Sequence, residues 1–280
     1  MKSVLLVLAA LLLALVGVVV VAGARWRSRT AGLVGRLQAA SAGVAPAVYS
    51  SRELDGLPAP VARYFRTVLR DGQPIPRRAR IEQHGTFAVK ATPDGWRPFT
   101  AVQQFTAHPA GFVWDARIRM APGLDFLVRD AFVNGRGSMY GTILGLIPVV
   151  DVHDTPDIAA GALVRFLAEA VWLPTALLPS QGVRWAPIDS TSARATLTSG
   201  GTTVSLDFHF GADGLVERIY APARGRDVAG TSVPTPWEGR WLAYAERGGV
   251  LVPVRGEVAW ILPAGPLPYW RGEIGAVAYD

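Results

Sequence analysis

The sequence predicts an α+β fold: a large curved antiparallel sheet, half-barrel-like, of about ten or eleven strands, with helices on the concave face and one transmembrane helix ahead of it. Three observations predict it. Ser3 to Ala24 carries no charge and is dominated by Leu, Val and Ala. From Arg78 onward the hydrophobic period is two. That alternation is interrupted once, by a helical stripe between Thr155 and Pro174.

The N-terminal run has about the length a helix needs to cross the hydrocarbon core. Lys2 precedes it and Arg25-Trp26-Arg27 follows, with Trp26 suited to a membrane interface. Ala22-Gly23-Ala24 resembles a small-residue cleavage site. The run nevertheless exceeds the ~7–15-residue core of a secretory signal. The expectation is an uncleaved single-pass anchor over residues 1–24, followed by a basic stem over residues 25–56. Arg25, Arg27, Arg29 and Arg36 in that stem are attracted to anionic headgroups. Counting positive charges favours a cytoplasmic C-terminal domain, although large domains are exported despite such a bias. Leu33, Val34, Leu37 and the Ala-rich stretch to Ala45 form a weak amphipathic helix ended by Pro46.

Residues 57–280 are expected to form one β-rich domain, since no repeat or low-complexity segment divides them. Leu57-Pro58-Ala59-Pro60 opens a helix with Val61, Tyr64, Phe65 and Val68 on one stripe, and Asp71-Gly72-Gln73-Pro74 ends it. In the first strand Ile81, Gly85 and Phe87 oppose Arg80, Glu82 and His84. A second strand runs from Trp96 to Ala107. In the third, Phe112, Trp114, Ala116, Ile118 and Met120 alternate with Val113, Asp115, Arg117 and Arg119, one face buried and one wet. Phe126 to Val133 and Arg136 to Tyr140 flank Asn134-Gly135, a hairpin signal. Thr155 then caps a helix, with Pro156 at its first position. Its stripe is Ile158, Ala159, Ala162, Leu163, Phe166 and Leu167; Arg165 and Glu169 pair on the opposite side. Strands resume at Val183 to Ile188, Ala193 to Thr198, Thr202 to Phe210 and Leu215 to Tyr220. The last candidates are Gly239 to Glu246, Val250 to Leu262 and Tyr269 to Tyr279. So many strands must curl, because twist accumulates.

Composition narrows the chemistry. The absence of Cys removes disulfides, thiolate metal sites, thiol catalysis and a lipid-modified cysteine. The net charge of +6 is almost entirely Arg, concentrated in the stem without a nucleic-acid motif beside it. The expected partner is therefore a membrane, not a nucleic acid. His84, His108, His153 and His209 are scattered without paired spacing, so no metal is expected. Gly135-Arg136-Gly137-Ser138 lacks the strand-to-helix context and the Lys of a phosphate loop, and no nucleophile elbow occurs. No catalytic residue and no cofactor are assigned.

Two residue classes remain. Asp130 shares a strand face with Phe126, Val128 and Phe132, so it is desolvated unless paired with an Arg. Glu238, Arg240 and Glu257 fall in later strands and are able to form a charged network. Trp114, Trp172, Trp185, Trp237, Trp241, Trp260 and Trp270 are spread over sheet and helix. Indoles fill cores and also line apolar cavities. The cavity candidates are Trp114, Asp130, Phe132, Trp172, Trp185, Glu238, Arg240, Glu257 and Trp260.

Several runs resemble a family of uncharacterised bacterial proteins, often membrane-anchored. They include Leu57-Pro58-Ala59-Pro60-Val61, Arg119-Met120-Ala121-Pro122, Gly135-Arg136-Gly137-Ser138-Met139, Thr235-Pro236-Trp237-Glu238-Gly239-Arg240 and Leu267-Pro268-Tyr269-Trp270-Arg271-Gly272. The resemblance covers about residues 57–280 and brings no catalytic assignment. In expected architecture the chain is similar to half-barrel carriers of the LolA and LppX type, which bind lipid or lipoprotein acyl chains outside the cytoplasm. That similarity implies a plasma-membrane protein with an extracytoplasmic domain that binds a hydrophobic ligand. The competing readings are a membrane-bound enzyme using Asp130, Glu238 and Glu257, and a protein-interaction module of the envelope.

Overall fold

The computed structural model describes residues 1–43 and 45–280; Val44, inside the stretch expected to be helical, lies outside them. Helix α1 (Lys2–Ser41) runs without a break through both the apolar segment and the first part of the basic stem. The short helix α2 (Ala59–Val68) begins with Pro60 in its first turn, where a missing N–H costs nothing. Its Val61, Tyr64, Phe65 and Val68 are all buried, as its stripe predicts.

Two antiparallel meanders follow. The first is β1 (Arg78–Ala88), β2 (Trp96–Thr106), β3 (Gly111–Ala121), β4 (Leu124–Val133), β5 (Arg136–Ile143) and β6 (Ile147–His153). Helix α3 (Pro156–Glu169) and the 3-10 turns Ala170–Trp172, Pro174–Leu177 and Pro179–Gln181 come next. The second meander is β7 (Arg184–Pro187), β8 (Ser192–Ser199), β9 (Thr202–Phe210), β10 (Val216–Val228), β11 (Thr231–Arg247), β12 (Val250–Leu262) and β13 (Gly265–Tyr279). Pairing of β1 with β13 joins the meanders into one 13-stranded sheet, in the order β6-β5-β4-β3-β2-β1-β13-β12-β11-β10-β9-β8-β7.

This order dictates where α3 goes. β6 and β7 are the two outer edges of the sheet, yet only α3 and its 3-10 turns connect them. The connection must cross the sheet from edge to edge, and it does so over the concave face. Accumulated twist then wraps the sheet around it. The curl is deep enough that Gly135, in the β4–β5 turn, touches the backbone of Gly200, in the β8–β9 turn. Both have positive φ, and any side chain at either would collide with the other's backbone.

The sheet has more strands than alternation alone foretells. β6 is an edge strand with Ile147, Val149 and Val152 exposed, so no face of it reads as buried. Where periodicity stops at Tyr220 and restarts at Gly239, the structure continues both strands as a long β10–β11 ribbon.

The stem does something composition does not announce. From Ala22 onward α1 packs on the convex face of β2, β3 and β4. Leu37 is buried against Val113, Ala131 and Val133, with Leu33 and Val34 beside it. The face of β3 expected to be wet is thus covered over Val113 and Asp115. Trp26, expected at a membrane interface, is instead buried: its Nε1–H donates to Asp115 at 2.9 Å and its ring stacks on Tyr140. The Arg129 guanidinium lies 4.5 Å from the Trp26 ring and donates to Thr30 Oγ1 at 2.8 Å. Burial raises the Asp115 carboxyl above its ordinary pKa, against the pull of its Trp26 and Thr30 hydrogen bonds. Replacing Trp26 by Ala should therefore speed amide exchange across residues 27–41 while leaving residues 156–169 unchanged. Unaltered exchange in 27–41 would show that the indole does not hold this helix.

Candidate functional site

The concave face is mostly filled. Trp172, Phe166, Leu163, Phe105, Phe112 and Phe132 form a solid core with α2, Leu177 and Phe208. Between α3 and the sheet lies a partly open cavity of about 230 Å³. Its walls are Phe87, Trp114, Phe126, Val128, Met139, Val150, Trp237, Trp241, Val258, Tyr269 and Trp270, with Asp130, Arg165, Glu169 and Arg224 as the polar members.

Strand parity builds the apolar wall. Trp237, Gly239 and Trp241 alternate with Glu238 and Arg240 on β11, so the first set faces the cavity side and the second faces outward. Gly239 keeps that wall low, since a Cβ there would press on the Trp237 ring.

A buried polar network forms one side. Arg165 donates from Nη1 to Asp130 at 2.7 Å and from Nε to Glu169 at 2.8 Å. Its guanidinium also lies 4.6 Å from the Trp114 ring. The second Glu169 oxygen accepts from Gln103 Nε2 at 2.7 Å. Gln103 Oε1 accepts from Gln83 Nε2 at 2.9 Å, and Gln83 Oε1 accepts from Trp114 Nε1 at 2.8 Å. Burial raises the Glu169 pKa, with Arg165 and Gln103 pulling the other way. Arg165 stays protonated because both carboxylates outweigh its own desolvation. The i,i+4 pair expected on the solvent side of α3 is therefore an inward-facing clamp. The reason is the edge-to-edge crossing, which gives the helix a sheet on more than one side.

The expected site residues divide by location. Trp114 and Asp130 line the cavity. Trp260 stacks on Tyr269 at a ring distance of 5.8 Å, flanking it. Phe132 and Trp172 belong to the solid core, and Trp185 packs on Phe65 and Phe208 away from the cavity. Glu238 pairs with Arg218 and Arg240 on the outer face, and Glu257 pairs with Arg271. Arg240 borders an open polar groove with His209 and Glu217. Asp130, Glu238 and Glu257 thus sit in separate Arg pairs and do not converge. The cavity lining contains no Ser, Cys, His or Lys side chain to act as nucleophile or proton carrier. Among the described residues no cluster of three or more His, Asp or Glu has the geometry of a metal site.

Sequence reasoning pairs Arg165 with Glu169 but puts neither them nor Arg224 in the cavity wall. Arg224 had a signal. Pro222 cannot donate to a ladder, and such a residue inside a strand marks a bulge. The register of β10 against β11 shifts between Ala221 and Arg224, so Ala221 opposes Trp237 while Arg224 opposes Thr235. The extra residue turns Arg224 to the concave side.

A family profile described as a family of unknown function, DUF6920, matches residues 55–279. The chain belongs to DUF6920. Within the DUF6920 domain lie the whole sheet, α2, α3 and every residue of the cavity. No protein of curated function matches the sequence. Among solved structures the chain is similar to a LolA superfamily protein from Nitrosomonas europaea, at 10% identity and a TM-score of 0.42, over 79% of this chain and 92% of that one. It is also similar to a DUF1329 family protein from Desulfovibrio piger, at 10% identity and a TM-score of 0.39, over 79% and 90%. A third is a putative outer membrane lipoprotein-sorting protein domain from Vibrio parahaemolyticus, at 6% identity and a TM-score of 0.39, over 72% and 85%.

Proposed function

We propose that this DUF6920 protein is a membrane-anchored binder of a small hydrophobic ligand, held in the tryptophan-lined cavity beneath α3. The observation that carries this reading is the cavity itself. It is walled by Trp114, Trp237, Trp241 and Trp270 and by few polar groups, the composition of a ligand pocket. Its volume is below the ~300–1,000 Å³ usual for drug-sized ligands, which suits a single acyl chain better than a paired-chain lipid.

The position of α1 supports membrane delivery. Val19 and Val20 border a groove with Gly123 and Leu144, and Leu146 lies against the face of α1 that includes Val18 and Val21. Gly145 packs beside Ala22. Residues 2–17 then project past these hairpins for about 24 Å, most of the thickness of a hydrocarbon core. The β3–β4 and β5–β6 turns, with exposed Leu124, Leu146 and Ile147, therefore sit level with the end of the apolar helix. Phe87, Phe126 and Tyr269 line the cavity near the strand ends on this same side. A lipid chain has a short path from bilayer to cavity in that arrangement.

The proposal also places the domain outside the cytoplasm, and a C-terminal alkaline phosphatase fusion, active only after export, checks that placement. Native mass spectrometry of the chain in lipid nanodiscs tests the binding. The wild type should retain a single-chain amphiphile, and Val258→Trp, which fills the cavity, should not. Equal retention by both, or none by the wild type, sinks the reading.

A further inference from the structure

We infer that the cavity selects ligands carrying an oxyanion, a carboxylate or a phosphate, on the apolar chain, and that Arg224 and Tyr269 bind that group. This inference rests on the hydrophobic-ligand reading and names the ligand class for the same site.

The argument begins with charge. Arg224 lines the cavity and is half-buried, yet none of the described carboxylates pairs with it. The cavity's own acids, Asp130 and Glu169, are both engaged by Arg165. Arg224 donates only to neutral oxygens, the Gly161 carbonyl at 3.2 Å and the Tyr269 hydroxyl at 3.3 Å. Its guanidinium sits 4.8 Å from the Trp237 ring and 5.6 Å from the Trp260 ring. Two indoles hold the cation in place without neutralising it. A guanidinium has more N–H donors than these two contacts use, and its planar fork matches a carboxylate or phosphate.

Tyr269 adds an independent observation. Its hydroxyl oxygen accepts from Trp237 Nε1 at 2.8 Å as well as from Arg224. With both lone pairs taken, the hydroxyl has only its proton left to offer, and no described residue accepts it. The site thus presents a cation and a spare O–H beside an apolar hollow, donors without an acceptor. An alcohol or hydrocarbon would leave that charge uncompensated, whereas an oxyanion receives bonds from both groups. The bulge at Pro222 is the device that aims Arg224 here, since unbroken alternation would turn it outward.

The test uses the full chain in zwitterionic nanodiscs, titrated calorimetrically with octanoate, octyl phosphate, octan-1-ol and inorganic phosphate, with empty nanodiscs subtracted. Octanoate or octyl phosphate should bind about tenfold or more tightly than octan-1-ol. Whichever of the two is tighter identifies a fatty acid or a phosphate headgroup as the source. Inorganic phosphate alone should bind far more weakly than octyl phosphate. Arg224→Gln should erase the preference while octan-1-ol still binds, and Tyr269→Phe should reduce it. Equal affinity for octanoate, octyl phosphate and octan-1-ol in the wild type overturns the oxyanion inference and leaves the hydrophobic reading standing. Failure of all the chain-bearing probes to bind, with Val258→Trp indistinguishable from wild type, overturns both.

Discussion

Arg165→Met should lose about 3–5 kcal/mol of stability at neutral pH, the usual consequence of stripping one partner from a buried ion pair. Methionine keeps much of the buried volume, but it leaves Asp130 and Glu169 facing each other's charge in a nearly dry wall. The loss should depend on pH, with a sign fixed by desolvation. Burial already raises the Glu169 carboxyl above its ordinary pKa, and without Arg165 it loses the cation that pulls it back down. A raised carboxyl favours the folded state when protonated, so the penalty is smallest below the unfolded pKa and grows as pH rises through the folded one. Arg165→Met should therefore come closest to wild type near pH 4 and fall furthest behind near pH 8. The triple variant Asp130→Asn, Arg165→Met, Glu169→Gln should recover much of the loss, because it removes the charges that Arg165 serves. Urea melts across that pH range measure this directly. A flat difference between wild type and Arg165→Met would mean that the clamp is not a charge device.

Much of this was legible in the residues, and the exceptions have physical causes. Asp130 on an apolar strand face announced a buried carboxylate in need of an Arg. Its partner could not be read, because Arg165 and Glu169 look like a solvent-facing i,i+4 pair on any helix with one apolar stripe. What buries them is the strand order, which puts β6 and β7 at opposite edges and forces α3 across the concavity. Strand order is a long-range property that no local pattern carries. The outward placement of Glu238 and Arg240 was more accessible. Trp237 and Trp241 share a parity that Glu238 and Arg240 oppose, so tryptophans and charges on β11 cannot line the same hollow. Trp26 was read as an interface anchor from its flanking arginines, whereas Asp115 and Tyr140 offer it a pocket on the sheet's back. The register bulge that turns Arg224 inward was marked by Pro222, although a proline alone does not say which way the next residues turn.

Trp172→Ala carries the second large expectation, because this side chain separates the solid core from the cavity. It is fully buried, donates from Nε1 to the Pro253 carbonyl at 3.1 Å, and meets Trp241 edge-on at 5.0 Å and Trp270 at 6.3 Å. Truncation should lose about 3–5 kcal/mol. For a domain of this size that lowers Tm by about 6–20 °C. Trp241 and Trp270 are also cavity walls, so the space vacated by the indole lies directly behind the ligand site. The variant should then accept longer chains, with its optimum in an octanoate-to-dodecanoate series beyond that of the wild type, while Trp172→Phe shifts it less. The two effects point in opposite directions, lower stability with greater capacity, and a general loosening of the fold would not produce an ordered shift in chain length. If Trp172→Ala melts like wild type, the indole is not part of the core. If it is destabilised but its chain-length preference stays that of the wild type, the void behind Trp241 and Trp270 is closed off from the cavity, and the ligand space is bounded by the sheet and α3 alone.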